Sequence, residues 1–164
     1  MQANVVLVMG VSGCGKTVTG ALLAGRLGWN FIDADDHHPS ANVEKMRRGE
    51  PLNDADRAPW LAHLNTLLRE HADAVPPRST VLACSALKTH YRSTLLDGLP
   101  HARIVYLQGS QELLAARLAA RNHAYMPPTL LASQLAALEA PSEALIIDVA
   151  TPLDDVVSQI IASL

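Results

Sequence analysis

The sequence predicts an α/β fold, a mainly parallel sheet covered by helices, in a single domain over residues 1–164. Three observations carry that expectation. Short β-branched runs alternate with Ala- and Leu-rich stretches, the pattern of successive βαβ crossovers. The strongest run, Val5 to Met9, is apolar at every position, as a strand buried on both faces must be. A glycine-rich octet follows that run directly and leads into a helical stretch.

Taken in order, the strand-like runs are Val5–Met9, Asn30–Ile32, Val81–Cys84, Ile104–Leu107 and Leu145–Ile147. Helix propensity and apolar spacing predict helices over Val18–Leu27, Ala58–Ala74, Gln111–Ala120 and Leu153–Leu164. Two stretches break the pattern. Asp33 to Asp56 is polar and punctuated by Pro39, Gly49 and Pro51, and Arg121 to Thr129 carries Asn122, His123 and the pair Pro127-Pro128. Irregular segments that follow the carboxyl ends of strands are where such sheets bind ligands, so both are candidate site segments.

Composition narrows the function classes. With 13 Lys+Arg against 16 Asp+Glu the net charge is −3, which offers no basic face to nucleic acid. An apolar share of 49% argues against disorder. No apolar run approaches the ~20 residues that span a bilayer, and Met1-Gln2-Ala3-Asn4 lacks the basic start of a signal peptide. Cys14 and Cys84 form no Cys-x-x-Cys pair, so neither a disulfide framework nor a zinc site is expected. The expectation is a cytoplasmic protein with reduced thiols and no membrane or nucleic-acid partner.

The octet Gly10-Val11-Ser12-Gly13-Cys14-Gly15-Lys16-Thr17 matches G-x-x-x-x-G-K-[ST] at every fixed position. Glycines let the backbone turn so that successive N–H groups face phosphate oxygens. The helix that follows presents its positive end to the same anion. Lys16 reaches the β- and γ-phosphates, and Thr17 offers a hydroxyl to Mg²⁺. These residues predict a nucleotide-binding loop.

Other segments select among phosphate-loop proteins. The D-x-x-G and N-K-x-D patterns of GTPases are missing from the sequence, and the third strand runs into Cys84-Ser85-Ala86 rather than an acidic residue. A small-molecule kinase remains, which needs an acceptor site and a lid. Asp33 and Asp35 alternate at the end of the second strand and so point the same way. One carboxylate suits Mg²⁺ and the other suits a general base for the attacking hydroxyl; the alternative is a solvated turn with an Asp cap. Arg117 and Arg121, spaced i and i+4 before the Pro-Pro stretch, fit lid cations that neutralise a transferring phosphoryl group. Lys88 and Arg92 repeat that spacing near a helix start, where cations oppose the dipole, so an anionic substrate competes with a solvated face as their explanation. Asp35-Asp36-His37-His38 imitates a metal cluster, but adjacent residues do not converge on one ion.

Together these residues resemble the gluconokinases, a family of the P-loop, shikimate-kinase-like group. The distinctive segments are Gly10–Thr17, His38-Pro39 with Asn42-Val43-Glu44-Lys45-Met46, Gly49-Glu50-Pro51-Leu52-Asn53-Asp54, Pro59-Trp60-Leu61, Cys84-Ser85-Ala86-Leu87-Lys88 with Tyr91-Arg92, and Ser133-Gln134-Leu135 leading to Leu138-Glu139 and Pro141. Shikimate kinase itself is disfavoured, because no Gly-Gly pair occurs in the chain.

The resemblance implies a P-loop NTPase fold with a five-stranded parallel sheet in order 2-3-1-4-5, a substrate-binding segment over 36–75 and a lid over 121–129. It implies ATP-dependent phosphorylation of D-gluconate on its 6-hydroxyl, with Mg²⁺, by a cytoplasmic homodimer. By position, Thr17 and Asp33 would hold the metal, while Lys16, Asp35 and Arg121 would act on the transferring group. Arg117 and Pro152 would flank the nucleotide, with Thr151 beside the adenine. Lys88, Arg92, Arg47 and Arg57 are the candidates for the substrate carboxylate, and His38 for its hydroxyls or for a structural role. Trp60 reads as packed core. Cys14 stands where the family usually has serine, which predicts a thiol of lowered pKa open to alkylation. A nucleotide sensor without turnover is the alternative from another class; the set Lys16, Thr17, Asp33, Asp35 and Arg121 speaks against it.

Overall fold

The computed structural model describes residues 2–121 and 128–164. Strands β1 (Val5–Met9), β2 (Asn30–Asp33), β3 (Thr80–Ala83), β4 (Ala102–Gln108) and β5 (Leu145–Asp148) form one sheet. Their order is β2-β3-β1-β4-β5, and every pairing is parallel. β1 lies at the centre, where all five of its residues are buried. That is why this run, the longest of the five strand-like runs in the sequence, reads as continuously apolar from end to end.

Alternation along β1 builds two cores. Val6 and Val8 face one side, with Leu23 of α1 (Lys16–Leu27), Leu114 of α5 (Gln111–Ala119), and Val157 and Ile160 of α7 (Leu153–Ser163). Val5, Leu7 and Met9 face the other, against Leu64 and Leu68 of α3 (Asp54–Asp73) and Leu95 of α4 (Thr89–Leu96). Each fully buried leucine contributes about 1.5–3 kcal/mol of transfer free energy. The sheet is thereby clamped from both faces, and its carboxyl edge becomes a rigid platform for the loops. No helix among the described residues is long and apolar enough to cross a membrane.

The structure revises two sequence-derived boundaries. The stretch Asp33–Asp56, expected to be irregular, contains a 3-10 turn (Ala34–His37) and α2 (Ser40–Arg47). Pro39, read as a breaker, is the cap residue of α2, where a missing N–H costs nothing. The helix expected from Ala58 starts instead at Asp54, because Asn53 and Asp56 exchange side-chain-to-backbone hydrogen bonds across its first turn. Pro59 is then accommodated inside α3. α6 (Pro128–Ala137) begins within the expected lid, and residues 122–127 of that segment lie outside the described residues.

Candidate active site

Residues 10–17 link β1 to α1 at the centre of the sheet's carboxyl edge. Two glycines there are obligatory. Gly10 has φ 151°, and a Cβ on it would stand 2.7 Å from Cys14 Sγ and 2.8 Å from the Leu107 carbonyl. Gly13 has φ 87°, and its Cβ would meet Leu118 at 3.0 Å. The loop is therefore pressed onto β4 and α5 as well as tightly turned. Gly15, left-handed with φ 89°, is the N-cap of α1, whose first residues are Lys16 and Thr17. Lys16 Nζ lies across the loop, donating to the Val11 carbonyl at 3.3 Å.

Beside the loop is a pocket of about 240 Å³ lined by Gly15, Val18, Arg117, Val149, Thr151 and Leu153 among others. Val18 and Leu153 leave 55% and 37% of their surfaces exposed, which suits an apolar face for a purine. Arg117 donates from Nη2 to the Val149 carbonyl at 2.5 Å, fixing the guanidinium in the pocket wall. Pro152 is the cap residue of α7, between the lining residues Thr151 and Leu153.

The expectation of a low-pKa thiol at Cys14 is overturned. The residue is buried at 2% exposure, and burial raises its pKa more than the charge of Lys16 lowers it. Beneath the acceptor groove Cys84 is likewise pushed up to about 12 by burial. Both thiols are therefore protonated and shielded.

Asp33 ends β2 and does two things at once. Its Oδ1 accepts the Asp35 backbone N–H at 3.0 Å, and its Oδ2 accepts the Thr17 hydroxyl at 2.9 Å. The first bond caps the 3-10 turn; the second joins β2 to the phosphate loop. The cap reading and the metal reading thus fall on one side chain. Strand alternation, however, is not what aligns the pair, because Asp35 lies in the 3-10 turn beyond β2. Thr17 Oγ1 and Asp33 are adjacent hard oxygen donors beside a phosphate cradle, a set that fits Mg²⁺. Asp35 lines the same groove, and its carboxyl is raised above the ordinary range by burial first and then by the charge of Asp33, with Lys16 opposing.

This groove has a volume of about 1060 Å³ and runs from Lys16, Thr17, Asp33 and Asp35 to Arg47 and Arg57. An adjoining pocket of about 260 Å³ adds Lys88 and Tyr91 and shares Arg57, Ser85 and Gln134 with the groove. Arg47 is exposed at the rim and paired with Glu44 at 3.1 Å. Lys88 Nζ lies 3.7 Å from Asp54 and 5.7 Å from the Tyr91 ring centroid. Arg57 sits 3.9 Å from Asp54 and donates to the Tyr91 hydroxyl at 3.3 Å. Asp54 is hydrogen-bonded to Tyr91, and this bond, followed by its cationic neighbours, holds its pKa low.

Arg92 takes a place other than the one expected, His38 takes the structural one of its two expected roles, and Arg121 departs from the expected helical face. Arg92 is 6% exposed and donates to the carbonyls of Ala86 at 2.7 Å and Glu139 at 2.8 Å. Ala86 has φ 47°, a left-handed conformation costing an alanine roughly 1–2 kcal/mol. The Arg92 guanidinium thus holds the strained turn between Ser85 and Lys88, and a substrate would meet its effect rather than its charge. His38 stacks on Trp60 with centroids 4.1 Å apart, and Trp60 donates to the Ala34 carbonyl at 2.8 Å. Burial lowers the pKa of His38, so the ring is a neutral wedge fixing the 3-10 turn. Arg121 lies beyond the end of α5, exposed, with its backbone N–H on the Leu118 carbonyl at 3.2 Å, so the two lid arginines do not share one helical face.

Gln134 of α6 is a groove residue to which the motif reading gave no role. It accepts the Ser12 backbone N–H at 2.8 Å. A glutamine in an Ala- and Leu-rich helix has no spacing signal that marks it as a site residue.

Known proteins match this geometry closely. A family described as an AAA domain matches residues 5–143. A gluconokinase of Gluconobacter oxydans (strain 621H) is 50% identical over 87% of this chain and 79% of its own. A probable gluconokinase of Xenopus tropicalis is 48% identical, covering 95% of this chain and 90% of its own. The crystal structure of a gluconokinase from Sinorhizobium meliloti 1021 superposes with a TM-score of 0.86 at 39% identity, over 99% of this chain and 92% of that one. Identity this high over most of the chain places it in the gluconokinase family.

Proposed function

We propose that this protein transfers the γ-phosphoryl group of ATP to the 6-hydroxyl of D-gluconate, giving 6-phospho-D-gluconate and ADP in gluconate catabolism. One observation supports this reading above the others. The groove and the pocket that adjoins it join the phosphate loop, Asp33 and Asp35 with the cations Arg57 and Lys88, both beside Asp54. A sugar acid has the complementary polarity, a terminal hydroxyl at one end and a carboxylate at the other.

In this arrangement the loop N–H groups and Lys16 bind the phosphates and stabilise charge on the transferring group. Thr17 and Asp33 would hold Mg²⁺, which would supply neutralisation of the phosphate charge. Asp35 accepts the proton of the 6-hydroxyl as its oxygen bonds to the γ-phosphorus and the bond to the ADP oxygen breaks. Burial and the charge of Asp33 raise its pKa, which makes it a stronger proton acceptor than an exposed carboxylate. Arg117 fixes the nucleotide pocket, and Arg121 belongs to the segment that would close over the phosphates. Lys88 and Arg57 orient the carboxylate, with Arg47 at the rim. From the family resemblance, the reading includes a cytoplasmic homodimer without nucleic-acid or membrane partners.

The test is ADP release with MgATP, comparing D-gluconate with shikimate, glucose and no acceptor, beside a Lys16→Ala control. Gluconate-dependent release that collapses in the control is the expected result. ATP binding without stimulation by any acceptor would instead favour a nucleotide sensor.

A further inference from the structure

Gln134 stands where the two halves of the site meet. Its side chain lines both the acceptor groove and the cationic pocket. The orientation of its carboxamide is dictated by its partner. The Ser12 backbone N–H can only donate, so the oxygen prong must face the phosphate loop, at 2.8 Å. The NH₂ prong is then left with two protons that no described residue accepts.

The helix carrying this carboxamide is fixed at its far end. Just beyond α6, Glu139 donates its N–H to the Leu87 carbonyl at 2.8 Å and accepts the Thr89 N–H on its carboxylate at 2.7 Å. Arg92 donates to its carbonyl at 2.8 Å. Gln134 is thus located from the phosphate loop on one side and from the Lys88 turn on the other. Along the groove the charged groups are the carboxylates Asp33, Asp35 and Glu50, which only accept when ionised, and the cations Lys16, Arg47, Arg57 and Lys88. The neutral donors are the hydroxyls of Ser12, Thr17, Ser85, Thr129 and Ser133 and the longer Gln134 carboxamide. A polyhydroxy acid lying between them presents hydroxyls to a neutral donor, and the Gln134 NH₂ is such a donor.

We infer that Gln134 is a specificity-determining residue, with its oxygen anchoring the Ser12 N–H while its NH₂ donates to a mid-chain hydroxyl of the bound sugar acid. This inference rests on the proposed gluconate reading of the groove. One side chain then registers the acceptor against the γ-phosphate end of the loop, so a wrong diastereomer or a shorter acid sits out of line for attack.

The experiment uses gluconate and its 2-, 3-, 4- and 5-deoxy analogues with the wild type, Gln134→Met and Gln134→Glu, each checked for an unchanged melting temperature. Methionine removes both prongs at equal length. Glutamate keeps an acceptor for Ser12 but cannot donate. In the wild type one deoxy acid is expected to lose about tenfold in kcat/KM, in keeping with one hydrogen bond. Both variants should be nearly indifferent to that one substitution while still discriminating at the other positions. For Gln134→Met the KM for gluconate should rise tenfold, with the KM for ATP changing less than threefold. Variants that retain the full wild-type discrimination overturn the inference, as does a rise confined to the KM for ATP. Failure of the wild type to use gluconate at all would instead overturn the functional reading, and is told apart by the absence of any parent activity.

Discussion

On the nucleotide side of the cleft the groups that build the site are the backbone of residues 10–17 with the side chains of Lys16 and Thr17, braced by β4 and α5. On the acceptor side they are side chains drawn from the 3-10 turn, α2, α3, the Ala86 turn and α6. The first half needs little from side-chain identity beyond glycine, lysine and a hydroxyl. In the second half charged groups hold one another: Arg47 with Glu44, and Lys88 and Arg57 with Asp54. Exposed pairs of this kind are individually weak, so they yield readily to a ligand carboxylate. A backbone cradle suits a phosphate common to many proteins, whereas an adaptable charged pocket suits a particular acid.

Substitutions test that division. The largest effect belongs to Lys16→Ala, which removes the mobile charge of the cradle. We expect kcat for ADP release to fall about a thousandfold, from loss of a transition-state donor. A loss under tenfold would mean that the backbone alone carries the phosphate side. Next comes Arg92→Met, which leaves the Ala86 and Glu139 carbonyls without their buried donor and frees a strained turn. We expect about 3 kcal/mol of lost stability in urea unfolding. Stability within 1 kcal/mol of wild type would show that the turn holds itself. Lys88→Ala should act on the acceptor half alone. The KM for gluconate should rise about tenfold, as for one charge-assisted hydrogen bond, with the KM for ATP unchanged. Parallel rises in both would dissolve the division.

The smallest effect concerns pH. Burial holds the His38 imidazole below its ordinary value of 6.5; the charge of Asp35 opposes this shift, and that of Arg57 reinforces it. His71, bonded to Thr80 at 2.8 Å, is lowered for the same leading reason. A depressed folded-state pKa means that the unfolded chain binds more protons, so this stability is present above pH 6.5 and lost as pH falls below it. The melting temperature should therefore drop between neutral pH and pH 5.5, and the drop should be shallower in His38→Gln. Equal slopes in the two proteins would remove His38 as a contributor.

Much of the fold is legible in the sequence because parallel strands and glycine turns leave strong local signals. Val5–Met9 is identical in sequence and structure, and four further strands lie within two residues of their expected limits. The misjudged elements leave no such signal. The start of α3 is set by the exchange between Asn53 and Asp56, and α2 begins after Pro39 with no side-chain cap bond, neither of which local apolarity registers. Within the site, Asp33 and Asp35 were found from their spacing, although a capped turn aligns them rather than strand alternation. Arg92 read as an anion ligand because its sequence neighbours say nothing of the Glu139 carbonyl that takes its guanidinium. The thiol of Cys14 read as reactive because the phosphates and Lys16 are near it in sequence; that β4 and α5 seal it is a fact of packing.

The amino-acid order by itself determined the alternating α/β architecture, the phosphate loop and the acidic turn that follows β2. Each rests on contacts between residues close in the chain, or on a backbone conformation that few residue types allow. Only the tertiary structure decided which cations face the acceptor, which hold up the loops, and that Gln134 reaches across to Ser12. Those outcomes depend on pairings between distant segments, where the same arginine or glutamine serves equally as ligand or as brace until a carbonyl or an N–H is brought within about 3 Å of it.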